Sequence, residues 1–259
     1  MPVSINTHKS LGTGIHTHII PPPVSGFTNV NSLLMDGISE YAETNANYTV
    51  LDGAQQFTAS LWVKPAVDQT KILLSTVRNT TANDFQFCIA TVNDSVRVFT
   101  DDTGKYINTS YGDLTANVWS HIAVVCDLSQ PTAANRGDIY INGIKKTTVR
   151  NLAITSLQNS SSNLTFAYNE NGKYGPGGNY FQGHIDEVAI WNGTDLRNDV
   201  STLYNTGTPG DLNNNGLTAP TNWWRMGDND GGSGTTLTDA AGSANGTLIN
   251  SASYDTDVP

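Results

Sequence analysis

The stretch Phe57-Thr58-Ala59-Ser60-Leu61-Trp62-Val63-Lys64-Pro65 decides the fold class. It is rich in aromatic and β-branched residues, and larger apolar side chains recur along it with the two-residue period of a β-strand. Similar runs, separated by Gly, Asn and Asp clusters, recur along the chain and predict further strands. The predicted strands are 31–36, 57–64, 71–77, 85–91, 96–100, 119–126, 138–142, 163–168 and 180–191.

Two local signals refine this all-β prediction. Asn142-Gly143, between two short apolar runs, predicts a hairpin with a type I′ turn. One helix is predicted over 195–204, where Thr194 or Asp195 can act as the N-cap. The apolar residues that recur at helical spacing in it are Leu196, Val200 and Leu203.

Composition and charge exclude several functions. The formal net charge is −10 and the pI about 4.7, so the surface repels the phosphates of nucleic acids and of anionic membranes. No apolar run approaches the roughly 20 residues of a membrane-spanning helix. The first residues lack the charged and apolar regions of a signal peptide, so the sequence predicts a protein made in the cytoplasm and not exported by that route.

Five segments, in order, resemble those of laminin G-like domains. This resemblance implies a concanavalin A-like fold, a two-sheet antiparallel jelly-roll sandwich with one short helix, over residues 28–259. The five segments are 34–41, with its Asp-Gly turn, 57–65, 119–124, 139–143 and 183–191.

The last part of the chain adds a second resemblance. Trp223-Trp224-Arg225-Met226-Gly227-Asp228 resembles a segment that often precedes the Asp-Gly strand in bacterial relatives. Here it comes after the helix, as though the domain were circularly permuted. This order is similar to that of laminin G-like proteins of tailed bacteriophages. The resemblance implies a virion structural or decoration protein that displays its domain for assembly or for adhesion to a host surface.

Residues 1–27 differ from the rest of the chain. Three consecutive prolines favour an extended polyproline II arm, which is expected to dock onto a second copy of the chain or onto other virion proteins. His16 and His18 lie two residues apart and are read either as a metal pair or as solvated side chains. The prolines are Pro21, Pro22 and Pro23.

The motifs of catalysis are missing from the sequence, which predicts a protein that is not an enzyme. Glucanases of this fold carry Glu-x-Asp-x-x-Glu on one strand, and the four glutamates of this chain form no such run. Asp186 and Glu187 are neighbours, so they are expected on opposite faces of a strand. There is also no nucleophile elbow and no phosphate-binding loop. His121 is expected to pack or to form a hydrogen bond.

Asp186 is the acidic residue that the pattern singles out. Strand alternation places it on the same face as Val188 and Ile190, which is expected to be the core face. A buried carboxylate requires amide donors, a cation or a basic partner. The resemblance implies a structural calcium ion bound by Asp186 and by Asp36 of the first Asp-Gly turn. The alternative is that Asp186 caps backbone amides.

A ligand face is suggested by three tyrosines in turn-rich or glycine-rich stretches: Tyr106, Tyr111 and Tyr174. Each could stack on a sugar or anchor a loop. The alternatives to a virion protein are a free-standing carbohydrate-binding lectin or adhesin and, less favoured, a glycan-degrading enzyme.

Overall fold

The structure, a computed structural model, describes residues 26–76, 86–100, 105–146, 148–150, 152–169 and 180–259. Within these ranges the chain forms seventeen strands and one short α-helix, α1 (Val200–Tyr204). The strands are β1 Ser32–Asp36, β2 Tyr41–Asn47, β3 Gln56–Pro65, β4 Ile72–Ser75, β5 Cys88–Val92, β6 Ser95–Phe99, β7 Tyr106–Asn108, β8 Ser120–Asp127, β9 Gly137–Ile141, β10 Ile144–Lys145, β11 Val149–Arg150, β12 Asn163–Phe166, β13 Gln182–Asn192, β14 Asn222–Trp224, β15 Thr236–Leu237, β16 Gly246–Ile249 and β17 Ser253–Asp255.

The strands form two antiparallel sheets. Sheet A has the order β10-β9-β8-β3-β13-β1-β17, with β14 also paired to β13. Sheet B has the order β11-β7-β6-β5-β4-β12-β2-β16-β15. The prediction of an all-β, two-sheet antiparallel sandwich with one short helix is therefore confirmed.

Sheet B shows why the sequence specifies a sandwich. One row of residues paired across seven strands is apolar throughout and lies in the central core, whereas the row on the opposite face is mixed. The core row is Ile107, Val98, Ile89, Leu74, Phe166, Ala42 and Leu248. The row on the outer face is Tyr106, Phe99, Cys88, Ser75, Thr165, Glu43 and Thr247. This alternation is what a strand with one face in a core requires.

Sheet A is covered on both faces. Its inner face packs on the central core, and its outer face carries a second apolar layer formed with α1 and the chain that follows it. This explains why β13 is buried along nearly its whole length. The second layer includes Ala189, Trp191, Leu196, Leu203, Leu212 and Trp223.

The helix is shorter than predicted and its capping differs. Its N-cap is Asp199, without a side-chain hydrogen bond, so the prediction of Thr194 or Asp195 as the cap is wrong. The preceding residues are tied to β3 instead, because the Thr58 hydroxyl donates to the Thr194 carbonyl and accepts from the Leu196 amide. Tertiary contacts thus override the local helical pattern.

The hairpin prediction is confirmed. Ile141 pairs with Ile144, and the two turn residues both have positive φ angles, 52° for Asn142 and 75° for Gly143. These angles are those of a type I′ turn, which suits the twist of the flanking strands.

The first and last described strands are neighbours. β1 pairs with β17, and Ser32 lies opposite Asp255. The Ser32 hydroxyl also donates to the Asp257 carbonyl. A domain in which these two strands are neighbours can tolerate a permuted order of segments.

No helix among the residues described here is long and apolar enough to cross a membrane.

Gly183 offers a test of the packing between β13 and β3. Its φ is 136°, and a Cβ there would collide with the carbonyl oxygen of Lys64. We expect Gly183→Ala to lower the free energy of unfolding by about 3 kcal/mol, because both the backbone strain and the clash oppose folding. The measurement is urea denaturation followed by tryptophan fluorescence.

Gly193→Ala is the matched control. Gly193 also has a positive φ, 70°, but no atom lies within 4 Å of the position that a Cβ would take there. We expect Gly193→Ala to lower the free energy of unfolding by only about 1 kcal/mol, because only the backbone strain opposes folding. Equal losses for the two variants would show that β13 and β3 do not approach each other this closely.

Candidate functional site

Strand β13 contains a bulge at Asp186 and Glu187. Asp186 lies opposite Trp62 and Ala189 opposite Ser60, so β13 has one more residue than β3 between these two pairs. Glu187 takes a φ of 47°, in the left-handed region. The bulge shifts the alternation of side chains by one position.

The bulge overturns the predicted orientation of Asp186. The residue that shares the central core with Val188 and Ile190 is Ile185, whereas Asp186 lies on the face of Trp62, away from that core. Asp186 is nevertheless fully buried, and so is Glu187 apart from 3% of its surface. The expectation that the two carboxylates lie on opposite faces fails because the extra residue interrupts the strand geometry.

Glu187 is held by two donors from the chain after the helix. The indole Nε1 of Trp223 donates to its Oε2, and Nε of Arg225 donates to its Oε1 at 3.1 Å. Burial raises the pKa of Glu187 to about 7, although the charge of Arg225 and these hydrogen bonds act to lower it. The carboxylate therefore has a basic partner but little contact with water.

Asp186 and the neighbouring carboxylates fix the segment before β1. Nδ2 of Asn29 donates to Oδ2 of Asp186 at 2.9 Å, and the Glu187 amide donates to Oδ1 at 2.8 Å. Asp228 accepts the Asn31 amide at 2.9 Å and pairs with Arg225 at 2.8 Å. Burial and the charge of Glu187 raise the pKa of Asp186 well above its usual range. The amide-accepting alternative for Asp186 agrees with these contacts.

Asp36 is the last residue of β1, directly before the turn that leads to β2. Its Oδ1 accepts the backbone amides of Ile38, Ser39 and Glu40. Burial acts to raise the pKa of Asp36, but these hydrogen bonds outweigh it and the pKa is below its usual value. The carboxylate organises the turn.

The two predicted calcium ligands are not brought together. Asp36 pairs with Gln182, and Asp186 lies four residues further along β13, which is about 13 Å. Both oxygens of Asp186 already accept hydrogen bonds. Across the described ranges, no three His, Cys, Asp or Glu side chains are grouped to hold a metal. These two residues therefore do not fit a shared calcium site, and calcium binding by the domain stays a prediction.

The predicted ligand and arm residues fall in different places. Tyr106 lies on the outer face of sheet B, 6.0 Å from the ring of Phe99 and 5.0 Å from the guanidinium of Arg97. Tyr111 is 71% exposed in a turn. Outside the described residues lie Tyr174 and the arm residues His16, His18, Pro21, Pro22 and Pro23.

Three other tyrosines form a stack that the sequence pattern did not single out. Tyr168 and Tyr180 lie at the two ends of segment 169–179, with ring centroids 4.7 Å apart and planes 18° apart. The ring of Tyr41 in β2 lies 4.5 Å from that of Tyr168 and is tilted by 35°, so it packs at an angle against the stacked pair. All three are partly exposed. We call these three residues the tyrosine stack. The sequence feature that could have identified Tyr168 and Tyr180 is that a tyrosine flanks the glycine-rich segment on each side.

A pocket of about 460 Å³ with a mixed polar and apolar lining lies beside β1, β3 and β13 of sheet A. Lys64 lines it and forms an ion pair with Asp257, which also accepts the indole Nε1 of Trp119 at 2.9 Å. The hydrogen bond from Lys64 lowers the pKa of Asp257. Because Lys64 is already paired with Asp257, it does not offer a free cation to a ligand. The ion pair instead attaches the segment after β17 to sheet A.

His121 has a structural role, as predicted. Its Nε2 lies 2.8 Å from the Ser60 hydroxyl, and its ring packs against both Trp62 and Tyr204, which also contact each other. Both Ser60 and His121 are buried, so this serine–histidine pair has no path to a substrate in this structure. Burial lowers the pKa of His121 to about 3.

This pKa predicts a pH dependence of stability. The unfolded chain binds a proton at His121 below its ordinary pKa of about 6.5, whereas the folded chain resists protonation down to about pH 3. His121 should therefore reduce the free energy of unfolding by about 1.4 kcal/mol for each pH unit below about 6.5. His121→Phe should remove this contribution.

The measurement is urea denaturation of both proteins between pH 4 and 7.5. The loss of the Ser60 hydrogen bond lowers the free energy of unfolding of the variant by the same amount at every pH. The pH dependence of the difference in free energy of unfolding between the two proteins therefore reports the titration of His121 alone. Parallel profiles for the two proteins would contradict the prediction.

Comparison with known proteins agrees with this fold. The family model described as the concanavalin A-like lectin/glucanases superfamily, laminin G type, matches residues 36–201. A search of curated proteins finds no match.

Two solved structures illustrate the likeness. A heptameric SAP-like pentraxin from Limulus polyphemus has a TM-score of 0.53 and 18% identity, over 68% of this chain and 82% of the pentraxin. A candidate carbohydrate-binding protein from Bacteroides ovatus has a TM-score of 0.59 and 19% identity, over 90% of this chain and 62% of that protein. At such identities the likeness establishes the fold alone. Because the family model covers well over half of the sequence, the chain belongs to the laminin G-like domains of the concanavalin A-like lectin/glucanase superfamily.

Proposed function

We propose that this domain is a non-enzymatic module that binds glycans through the tyrosine stack and that a virion displays it for assembly or for adhesion to a host surface. The observation that carries the binding role is the pair of stacked rings, Tyr168 and Tyr180, at the two ends of segment 169–179. Aromatic faces suit the apolar faces of sugar rings, and hydroxyl groups at their edges suit the sugar hydroxyls.

The placement of the stack supports this role. Tyr41 projects from the same face of β2 as Glu43, whereas Ala42 between them enters the core. Tyr41 is part of β2, whereas Tyr168 and Tyr180 lie two residues outside β12 and β13 and are held by packing against each other and against Tyr41. Rings held in this way lose little conformational entropy when a ligand binds. The predicted ligand residue Tyr174 belongs to the segment that this stack frames. Carbohydrate binding is also the role given to the Bacteroides ovatus protein of similar fold.

The acidic cluster of β13 supports a non-enzymatic role. Asp186 and Glu187 are buried and engaged with Asn29, Trp223 and Arg225. Glycoside hydrolysis needs two carboxyl groups that flank a bound sugar, and this pair is covered by protein. A structural calcium ion remains part of the proposal, without Asp36 and Asp186 as joint ligands.

The virion role is supported by the resemblance of the sequence to bacteriophage proteins and by the arm. Residues 28–31 are fastened to the domain through Asp186 and Asp228. An arm that leaves from such a fixed point can carry load to a neighbouring subunit. Binding through many displayed copies would compensate for weak affinity at each site.

Glycan binding through the tyrosine stack is tested by Tyr168→Ala. We expect a loss of affinity of about tenfold for the best ligand on a glycan array, because one stacking face is worth roughly 1 kcal/mol or more. Isothermal titration with that ligand gives the value. Tyr111→Ala is the control, since Tyr111 is an exposed tyrosine outside the stack. Equal affinity for the Tyr168 and Tyr111 variants would contradict the proposed site.

Assembly through the arm is tested by deleting residues 1–25, which leaves Phe27 stacked on Trp223. We expect the full chain to form a defined oligomer in light scattering and the truncated chain to be a monomer. A monomer in both cases would argue against self-assembly by the arm and favour the free-standing lectin.

A further inference from the structure

A second groove lies at the other end of the sandwich from the tyrosine stack. It has a volume of about 430 Å³, within the range of about 300–1,000 Å³ that is usual for ligand sites. Residues 44–50, Asn222 and residues 243–245 line it, and we call it the asparagine groove. Tyr41 and Asn47 lie at opposite ends of β2, about 20 Å apart, so the two sites are separate.

The asparagine groove is lined by uncharged polar residues together with Ala46, Val50 and Ala244. It contains four asparagines, three hydroxyl residues and Tyr48, and no Asp, Glu, Lys, Arg or His. Amides and hydroxyls both donate and accept hydrogen bonds, which suits a neutral ligand rich in hydroxyl groups.

The floor of the groove is built and rigid. The buried hydroxyl of Tyr48 donates to Oδ1 of Asn222 at 2.8 Å, and Nδ2 of Asn222 donates to Asp239. Asp239 also accepts the backbone amides of Trp223, Ala241, Gly242 and Ala244. One carboxylate thus holds the whole loop that forms one wall.

Gly242 shows how closely this wall is fitted. A Cβ there would lie 2.6 Å from both Nδ2 of Asn222 and the Thr221 carbonyl oxygen. The loop therefore cannot take a larger residue without moving. A wall fixed in this way presents its polar groups in a set geometry, which lowers the entropic cost of binding.

The rim of the groove keeps hydrogen-bonding groups available. Oδ1 of Asn45 accepts from Thr247, and Oδ1 of Asn245 accepts the Asp239 amide, so the amide nitrogens of both point away from these bonds. Within the described part of the chain, no protein group bonds to these two nitrogens or to the side chains of Asn47 and Ser243. All four residues are exposed.

We propose that the asparagine groove is a second binding site, for a neutral saccharide, so that the domain binds glycan at both ends. The ligand class rests on the proposed function, whereas the site rests on the groove itself. The uncharged lining selects against acidic sugars, because a buried carboxylate would find no cationic partner there.

The test uses cellotriose, mannotriose and isomaltotriose as neutral probes and trigalacturonate as the acidic one. Titrations of the full-length protein labelled with nitrogen-15 are followed by NMR. We expect at least one neutral trisaccharide to shift the side-chain amide signals of Asn45, Asn47 and Asn245, and trigalacturonate to bind at least tenfold more weakly there.

Three variants locate the binding. Asn47→Ala combined with Ser243→Trp should weaken neutral sugar binding at the groove at least tenfold, whereas Asn198→Ala, at an exposed asparagine outside it, should leave binding unchanged. Tyr168→Ala should leave the groove signals unchanged.

The outcomes separate this inference from the proposed function. If the sugars shift only signals that Tyr168→Ala abolishes, and none at the groove, this inference is overturned and the proposed function stands. Shifts at the groove but none at the stack would support the inference and contradict the proposed site. No shifts at either place would overturn both.

Discussion

The pairing of β13 with β3 is the constraint on which the rest of the structure depends. β13 is central in sheet A, and it also pairs with β1 and β14. Its bulge turns Asp186 and Glu187 toward the outer layer, where Arg225 pairs with Glu187 and with Asp228. Carboxylates so far from water require such donors. The chain before β1 and the chain after the helix must therefore close over this point for the sheet to be stable.

The sequence predicted the sheets well because apolar periodicity is a local property. Phe57 to Pro65 and the Asn142-Gly143 turn carry their own structural signal, and both predictions hold. The bulge at Glu187 could not be predicted, since a left-handed glutamate depends on contacts with Trp223 and Arg225, far along the chain. The sequence pattern did not predict β2, because polar residues on its outward face, such as Glu43 and Asn45, leave too few apolar residues to mark a strand.

The candidate sites were harder to predict for the same reason. Tyr41 is distant in sequence from Tyr168 and Tyr180, and only the pairing of β12 with β2 brings them together. The asparagine groove likewise joins the end of β2, the start of β14 and the loop before β16. Each residue in it resembles an ordinary turn residue. Their convergence, which gives the surface its chemistry, exists only in the folded chain.

The adjacency of β1 and β17 governs how the domain responds to tension. Ser32 at the start of β1 lies opposite Asp255 at the end of β17, so a pull on the two ends acts across their ladder rather than along it. Such a load breaks the backbone hydrogen bonds between β1 and β17 one after another, whereas a load along the strands would break all of them together. On the side of β17, the contacts of Asp257 with Lys64, Trp119 and Ser32 must break first. On the side of β1, the contacts of residues 28–31 with Asp186 and Asp228 must break first. A domain stretched in this manner yields gradually from its edge while its central sheets stay intact.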